Sequence, residues 1–190
     1  MKRALDIIMS FFAIIVLSPV FLITALIIII ADGTPVVYKQ KRVGKDAKLF
    51  TIYKFRTMKN GTRIAATNDL KESQSQIISC GGFLRKTSLD ELPQLINILK
   101  GDMSFVGPRP LIPEEEEIHR LRLEHDVYAV RPGLTGLAQV NGRDKVSIEE
   151  KVKLDSEYVQ NQSIGLDIKI FFKTFVNVFT MSDVVEGGHS

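Results

Sequence analysis

IIMSFFAIIVLSPVFLITALIIIIA, residues Ile7–Ala31, is the stretch on which the architecture turns. It holds 25 residues and no charge. As one helix it would be roughly 37 Å long, enough for a bilayer core of about 30 Å. The apolar region of a cleaved secretory signal is shorter, about 7–15 residues. The stretch therefore reads as an N-terminal membrane segment. Ser18-Pro19 falls near its middle. Pro19 has no N–H, so the carbonyl of Ile15 loses its helical partner, and the ring clash bends the chain there. The Ser18 hydroxyl is placed to help satisfy a freed carbonyl.

The flanks of the run are both basic. Lys2 and Arg3 precede it. Residues 32–60 carry Lys39, Lys41, Arg42, Lys45, Lys48, Lys54, Arg56 and Lys59 against Asp32 and Asp46, a local net of +6. A spanning helix keeps its basic excess on one side. Two basic flanks point to a helix that enters, bends at Ser18-Pro19 and returns. A kinked spanning helix with its first six residues outside is the other arrangement, since proline is common in membrane helices. The residues alone leave both open.

The whole chain has 190 residues, with 25 Lys plus Arg, 22 Asp plus Glu and a formal net charge of +3. At 45% hydrophobic and 25% charged it is neither a disordered tail nor a polytopic membrane protein. One cysteine, Cys80, excludes a disulfide framework, and with three histidines it argues against a Cys/His zinc site. The length beyond Ala31 suits one domain. The expected division is a membrane helix-break-helix over 1–34 and one further domain over 35–190.

Along that domain, Val36, Val37 and Tyr38, then Leu49, Phe50, Ile52, Tyr53 and Phe55, alternate loosely about Gly44, which predicts a β-hairpin. Residues 59–76 read as a polar surface loop. Leu92, Leu95, Ile96 and Leu99 fall on one helix face that Gly101 ends. A second helix is expected from the Glu114–Glu117 run towards His125, and a third over about Val146–Gln160. In Leu166–Met181 a narrow stripe of Lys169, Lys173 and Asn177 leaves a wide apolar face with Phe171, Phe172, Phe175 and Phe179. That face belongs in the core or at a lipid interface. The fold class is α/β, mostly helical with a small hairpin.

The richest chemistry lies in LRKTSLDELP, Leu84–Pro93. Ser88 and Glu91 have capping-box spacing, while Pro93 favours Asp90 as the cap. Either way, two carboxylates are expected at a helix N-terminus. Capping and dipole compensation would account for them. The same setting would also bind anions and keep Asp90 ionised, as a carboxylate nucleophile must be. Arg85 and Lys86 lie just upstream to neutralise phosphate, and Glu91 could hold Mg²⁺ together with substrate phosphates. Gly107-Pro108-Arg109-Pro110 fixes the backbone on both sides of Arg109. Arg131-Pro132-Gly133-Leu134-Thr135-Gly136 has the look of a glycine loop, but it is neither the dinucleotide fingerprint nor a P-loop. Arg143 follows an Asn141-Gly142 turn. His119, His125 and His189 have no partners at ligand spacing.

Three motifs taken together, KFRTM (Lys54–Met58), SLDELPQLINILKGDMSFVGPRP (Ser88–Pro110) and RPGLTGLAQVNGR (Arg131–Arg143), closely resemble the bacterial sugar transferases, the monotopic phosphoglycosyl transferases. The resemblance covers essentially the whole chain and looks like the minimal catalytic form. It implies transfer of a sugar 1-phosphate from a UDP-sugar to undecaprenyl or a related polyprenol phosphate, giving polyprenol-diphosphate-sugar and UMP, with Mg²⁺ required. It implies that Asp90 forms a covalent phosphosugar in a ping-pong scheme and that Asp90 and Glu91 are tied to the metal site. Arg85 and Arg109 match family arginines at the phosphates, and Lys54 and Arg143 become candidate substrate contacts.

The resemblance further implies a re-entrant helix broken at Ser18-Pro19 and amphipathic helices on membrane lipids. The setting would be the cytoplasmic face of a bacterial inner membrane, as in polysaccharide and glycoconjugate biosynthesis. Downstream glycosyltransferases would be partners, and no nucleic acid is expected. The chain stops soon after Glu186-Gly187-Gly188-His189, where some relatives have a longer tail; if that tail shapes the sugar or nucleotide pocket, sugar choice would differ here. A membrane-tethered binding or assembly protein, with Asp90-Glu91 as a structural cap, is the alternative.

Overall fold

A computed structural model describes residues 1–61, 76–142 and 146–180, with backbone only at 178–180. The apolar N-terminal run forms two helices, α1 (Lys2–Val16) and α2 (Ser18–Asp32), which meet at Leu17 with a bend of 60°. The break is where Pro19 requires it. Ser18 Oγ donates to the Ile15 carbonyl at 2.7 Å, the carbonyl that proline strips of its partner. Among the described residues no single helix is long and apolar enough to cross a membrane, and only the bent pair passes that test jointly.

The hairpin follows. β1 (Val37–Val43) pairs antiparallel with β2 (Leu49–Phe55), and Gly44 and the 3₁₀ turn Lys45–Ala47 join them. Then come α3 (Gly81–Lys86), a 3₁₀ turn at Leu89–Glu91 and α4 (Gln94–Lys100). Gly101, at φ 101°, closes α4 as the expected left-handed cap. β3 (Ser104–Val106), α5 (Glu116–Glu124), β4 (Gly133–Thr135), α6 (Leu137–Val140), α7 (Ile148–Gln160) and α8 (Ile164–Thr180) complete the order. The result is a mixed α/β fold, mostly helical with two small sheets. Ser147 caps α7, accepting the Glu150 N–H at 3.2 Å. The loop expected at 59–76 lies largely outside the described residues.

The second sheet accounts for the glycines of Arg131–Gly136. β3 and β4 are parallel neighbours, Ser104 opposite Gly133 and Val106 opposite Thr135. The glycines of Arg131–Gly136 therefore serve close packing between the two strands. A Cβ on Gly133 would lie 2.1 Å from the Gly107 nitrogen, and one on Gly107 would lie 2.4 Å from the Arg131 carbonyl. The Gly107 and Gly133 N–H groups donate to Thr135 and Pro108 carbonyls, both at 2.9 Å, and so are spent on the backbone.

The broken helix is seated on the rest of the chain by its inner face. Phe21 and Ala25 pack around buried Ile28, Phe55, Ile78 and Leu84. Ala13, Ile14 and Leu17 cover Ile52, Leu95, Ile98 and Met103. Its outer face is left bare, with Phe12, Val16, Leu22 and Ile30 among many exposed apolar side chains. α8 divides in the same way. Ile170 is buried in the core, whereas Ile168, Phe171, Phe172, Phe175 and Val176 are exposed. The core reading of that helix holds for one face, and the other apolar face is left exposed.

Polar contacts tie both ends of the helix pair to the same body. At the start, Lys2 Nζ lies 2.5 Å from Asp167 Oδ2 in α8. Arg3 donates to the Ile98 and Leu99 carbonyls at the end of α4, at 2.6 and 3.0 Å. Buried Asp6 accepts from Ser104 Oγ at 3.1 Å and the Phe105 N–H at 3.3 Å. At the far end, buried Arg56 donates to Asp32 Oδ2, the Asp32 carbonyl and the Gly33 carbonyl at 2.7, 2.9 and 2.7 Å. Arg3 and Arg56 each satisfy carbonyls at a helix C-terminus, where a cation is also favoured by the dipole.

Candidate active site

Asp90 and Glu91 lie in the 3₁₀ turn Leu89–Glu91, not at the start of the following α-helix. This corrects the capping expectation. Ser88 adopts a left-handed conformation at φ 56°, α4 starts only at Gln94 after Pro93, and neither Ser88 nor Pro93 supplies a side-chain cap. The turn is closed by backbone bonds, Glu91 N–H to the Ser88 carbonyl and Leu92 N–H to the Leu89 carbonyl.

Asp90 is 9% exposed. Burial, then the neighbouring Glu91 charge, pushes its carboxyl up from 3.8 to about 6. Lys54, Arg85 and a backbone hydrogen bond pull the other way. The turn therefore holds Asp90 less firmly ionised than a helix N-terminus would. The carboxylate is still the major form at pH 7.

The hairpin supplies the opposing wall. Gln40 faces Ile52 across the ladder, so Arg42 and Lys54, each two residues along its own strand, share that face. Lys54 Nζ donates to Glu91 Oε1 at 2.7 Å. Arg109, Gln94, Pro110, Gly133 and Leu134 complete a narrow cleft with Arg42, Ile52, Lys54 and Glu91. Burial, and next the charge of Arg109, lower the pKa of the Arg42 guanidinium. The cleft thus gathers three cations, Arg42, Lys54 and Arg109, around one carboxylate, Glu91. It is short of negative charge, as a site for a phosphorylated ligand should be.

Of the residues expected from sequence, Lys54, Glu91 and Arg109 line this cleft and Asp90 adjoins it. Arg85 lies on α3, where its Nε donates to Thr57 Oγ1 at 2.9 Å, within electrostatic reach of Asp90. Arg143 lies outside the described residues. Arg42 was visible in the sequence only as one of eight basic residues on a shoulder, and the strand register is what singles it out. His119 bridges the Tyr128 hydroxyl and the Ile112 carbonyl, a packing role.

No group of three or more His, Cys, Asp or Glu is found among the described residues. Magnesium does not need one. It binds through one or two carboxylates plus substrate phosphates, and the adjacent Asp90 and Glu91 are hard oxygen donors of that kind. The residues present fit such an ion.

The chain matches the bacterial sugar transferase family model over residues 1–181. It is 40% identical over 188 residues to exopolysaccharide production protein ExoY of Sinorhizobium fredii, covering 91% of this chain and 83% of that protein. It is 41% identical over 189 residues to the undecaprenyl-phosphate galactose phosphotransferase of Salmonella typhimurium, covering 92% of this chain but 39% of that one. With the UDP-glucose:undecaprenyl-phosphate glucose-1-phosphate transferase of Escherichia coli it shares 38% over 186 residues, 94% of this chain and 40% of the relative. The last two relatives are thus more than twice as long as the part this chain matches. A match over nearly the whole chain, together with a carboxylate pair set against a cationic cleft, identifies the chain as a member of the bacterial sugar transferase family.

Proposed function

We propose that this chain is a phosphoglycosyl transferase that moves a sugar 1-phosphate from a UDP-sugar to undecaprenyl phosphate or a related polyprenol phosphate. The observation that carries the reading is the placement of buried Asp90 beside the cleft of Arg42, Lys54, Glu91 and Arg109. An Asp90 carboxylate oxygen attacks the sugar-bearing phosphorus. The bond from that phosphorus to the bridging oxygen breaks, and UMP leaves with the electron pair. An oxygen of the polyprenol phosphate then attacks the same phosphorus and displaces Asp90, giving polyprenol-diphosphate-sugar and the free carboxylate. Neither step needs a net proton transfer. The cleft cations offset repulsion between anions on approach. Mg²⁺, held by Glu91 and Asp90 together with the diphosphate, would supply further charge neutralisation.

The setting proposed with it is monotopic, at the cytoplasmic face of a bacterial inner membrane. Residues 1–34 form a re-entrant unit, and 35–190 form the catalytic domain. Support comes from the 60° bend at Leu17 and from the attachment of both ends of the helix pair to one body, through Arg3 and Asp6 at one end and Arg56 at the other. The exposed apolar faces of α1, α2 and α8 suit membrane lipids. Arg85 and Arg109, with Arg143, are assigned to the phosphates or other parts of the substrates. Downstream glycosyltransferases would consume the lipid-linked product.

The test is UMP release from a panel of UDP-sugars, with the purified chain, Mg²⁺ and undecaprenyl phosphate in detergent. UMP is expected with at least one donor, and Asp90→Asn should abolish it. Retention of most of the release by Asp90→Asn would sink the covalent scheme. Absence of release with every donor, and of a phosphosugar trapped on Asp90, would favour a tethered binding protein.

A further inference from the structure

Arg109 reaches the cleft on a segment held largely by its carbonyls. Pro108 and Pro110 have no N–H to offer. The Pro108 carbonyl accepts from the Gly133 N–H at 2.9 Å and the Leu111 carbonyl from the Val43 N–H at 3.0 Å. The Pro110 carbonyl accepts from Arg42 Nη1 at 3.3 Å. The carbonyl of Arg109 itself accepts from Arg122 Nη1 in α5, at 2.8 Å. The other arm of Arg122 lies 2.5 Å from Asp155 Oδ2 in α7. Arg122 is 3% exposed and Asp155 is 1% exposed. A pair this dry gains little over an apolar pair of similar volume, so stability alone is a weak reason for it. What an apolar pair lacks is a planar fork with one arm on an anion and the other on a chosen carbonyl.

We infer that Arg122 and Asp155 are positioning residues, which set Arg109 in the cleft for the diphosphate of the donor. Neither touches a reacting atom. The inference rests on the reaction proposed above and adds to it a part of the molecule remote from the Asp90 turn. Asp155 fixes one arm of the guanidinium, and the second arm then fixes the backbone of Arg109 against the hairpin.

The test measures kcat and KM for UDP-galactose and UDP-glucose, together with Tm, using the full chain with Mg²⁺ and undecaprenyl phosphate. The double exchange Arg122→Met with Asp155→Leu removes the fork without leaving a buried charge unpaired. Its kcat/KM for the accepted donor should fall about tenfold or more while Tm stays near the wild-type value. Repeated in an Arg109→Lys background, the same exchange should change kcat/KM by less than about twofold, because the group it places is already gone. Arg122→Lys, which keeps a cation for Asp155 but has no second planar arm, should behave in the same way. Wild-type kcat/KM in the double exchange would overturn the inference. So would losses that multiply across the two backgrounds, or loss of folding in both the double exchange and Arg122→Lys, since either marks a purely structural pair. Absence of UMP release by the wild-type chain with every donor of the panel, and of a phosphosugar trapped on Asp90, would remove the proposed reaction, and this inference with it, and is read separately.

Discussion

Lys54 Nζ stands 2.7 Å from Glu91 Oε1, and this pair joins the second strand of the hairpin to the turn that carries Asp90. The two residues act on Asp90 with opposite sign, Glu91 raising its pKa and Lys54 lowering it. In the proposed scheme Asp90 must be ionised to attack, so the acid limb of kcat/KM should fall near pH 6 in the wild type. Lys54→Met should move that limb to higher pH and Glu91→Gln to lower pH. Residual activity in both variants, followed from pH 5 to 8, provides the check. Equal limbs in all three proteins would mean that Asp90 is not the titrating group.

Asp90→Asn should make the chain inactive and more stable at neutral pH. The folded chain keeps the Asp90 proton up to about pH 6, whereas an ordinary aspartate releases it near 3.8. Between those values the folded state binds more protons than the unfolded one, so stability falls as pH rises and stays lower above pH 6. The difference amounts to at most about 3 kcal/mol. Thermal melts should show a variant more stable than wild type at pH 8, with the gap closing as pH approaches 4.

Arg56→Met should loosen the junction between the helix pair and the hairpin. It removes three hydrogen bonds to Asp32 and Gly33, one of them an ion pair with a carboxylate that is 27% exposed. The expected cost is about 2–4 kcal/mol, read from the denaturation midpoint in detergent.

Gly133→Ala and Gly165→Ala should act in opposite directions. At Gly133 the new methyl would lie 2.1 Å from the Gly107 nitrogen and 2.3 Å from the Thr135 carbonyl, which forces β3 and β4 apart. A loss of about 3 kcal/mol or more is expected. At Gly165, in α8, nothing lies within 4 Å, and alanine should add about 0.5–1 kcal/mol. Paired melts of the two variants measure both.

Re-entry predicts that the two flanks of the helix pair share one side of the membrane. With Cys80→Ser as background, Ala4→Cys and Lys45→Cys sit at exposed positions on either flank. An impermeant maleimide added to sealed inside-out vesicles should label both, and added to right-side-out vesicles should label neither. Labelling of Ala4→Cys from the opposite side to Lys45→Cys would refute re-entry.

By itself the sequence determined the features that a few neighbouring residues control. Pro19 cannot donate to Ile15, so the helix breaks and Ser18 takes the carbonyl. Gly101 alone tolerates the left-handed cap at little cost, and alternating apolar residues about Gly44 make the hairpin. The motifs around Lys54, Asp90-Glu91 and Arg109 were also legible, and those residues come together in the fold. What only the tertiary structure decided depends on residues far apart in the chain. The parallel pairing of β3 with β4 turned an apparent glycine loop into a packing seam. The left-handed turn at Ser88 moved Asp90 off the helix start and into a buried site that raises its pKa. Arg42 met Arg109, and Arg122 met Asp155, across 67 and 33 positions of sequence. A charge does not encode its partner locally. Backbone restrictions act within a turn or two, whereas ion-pair choice and desolvation follow from which surfaces the packed core brings together.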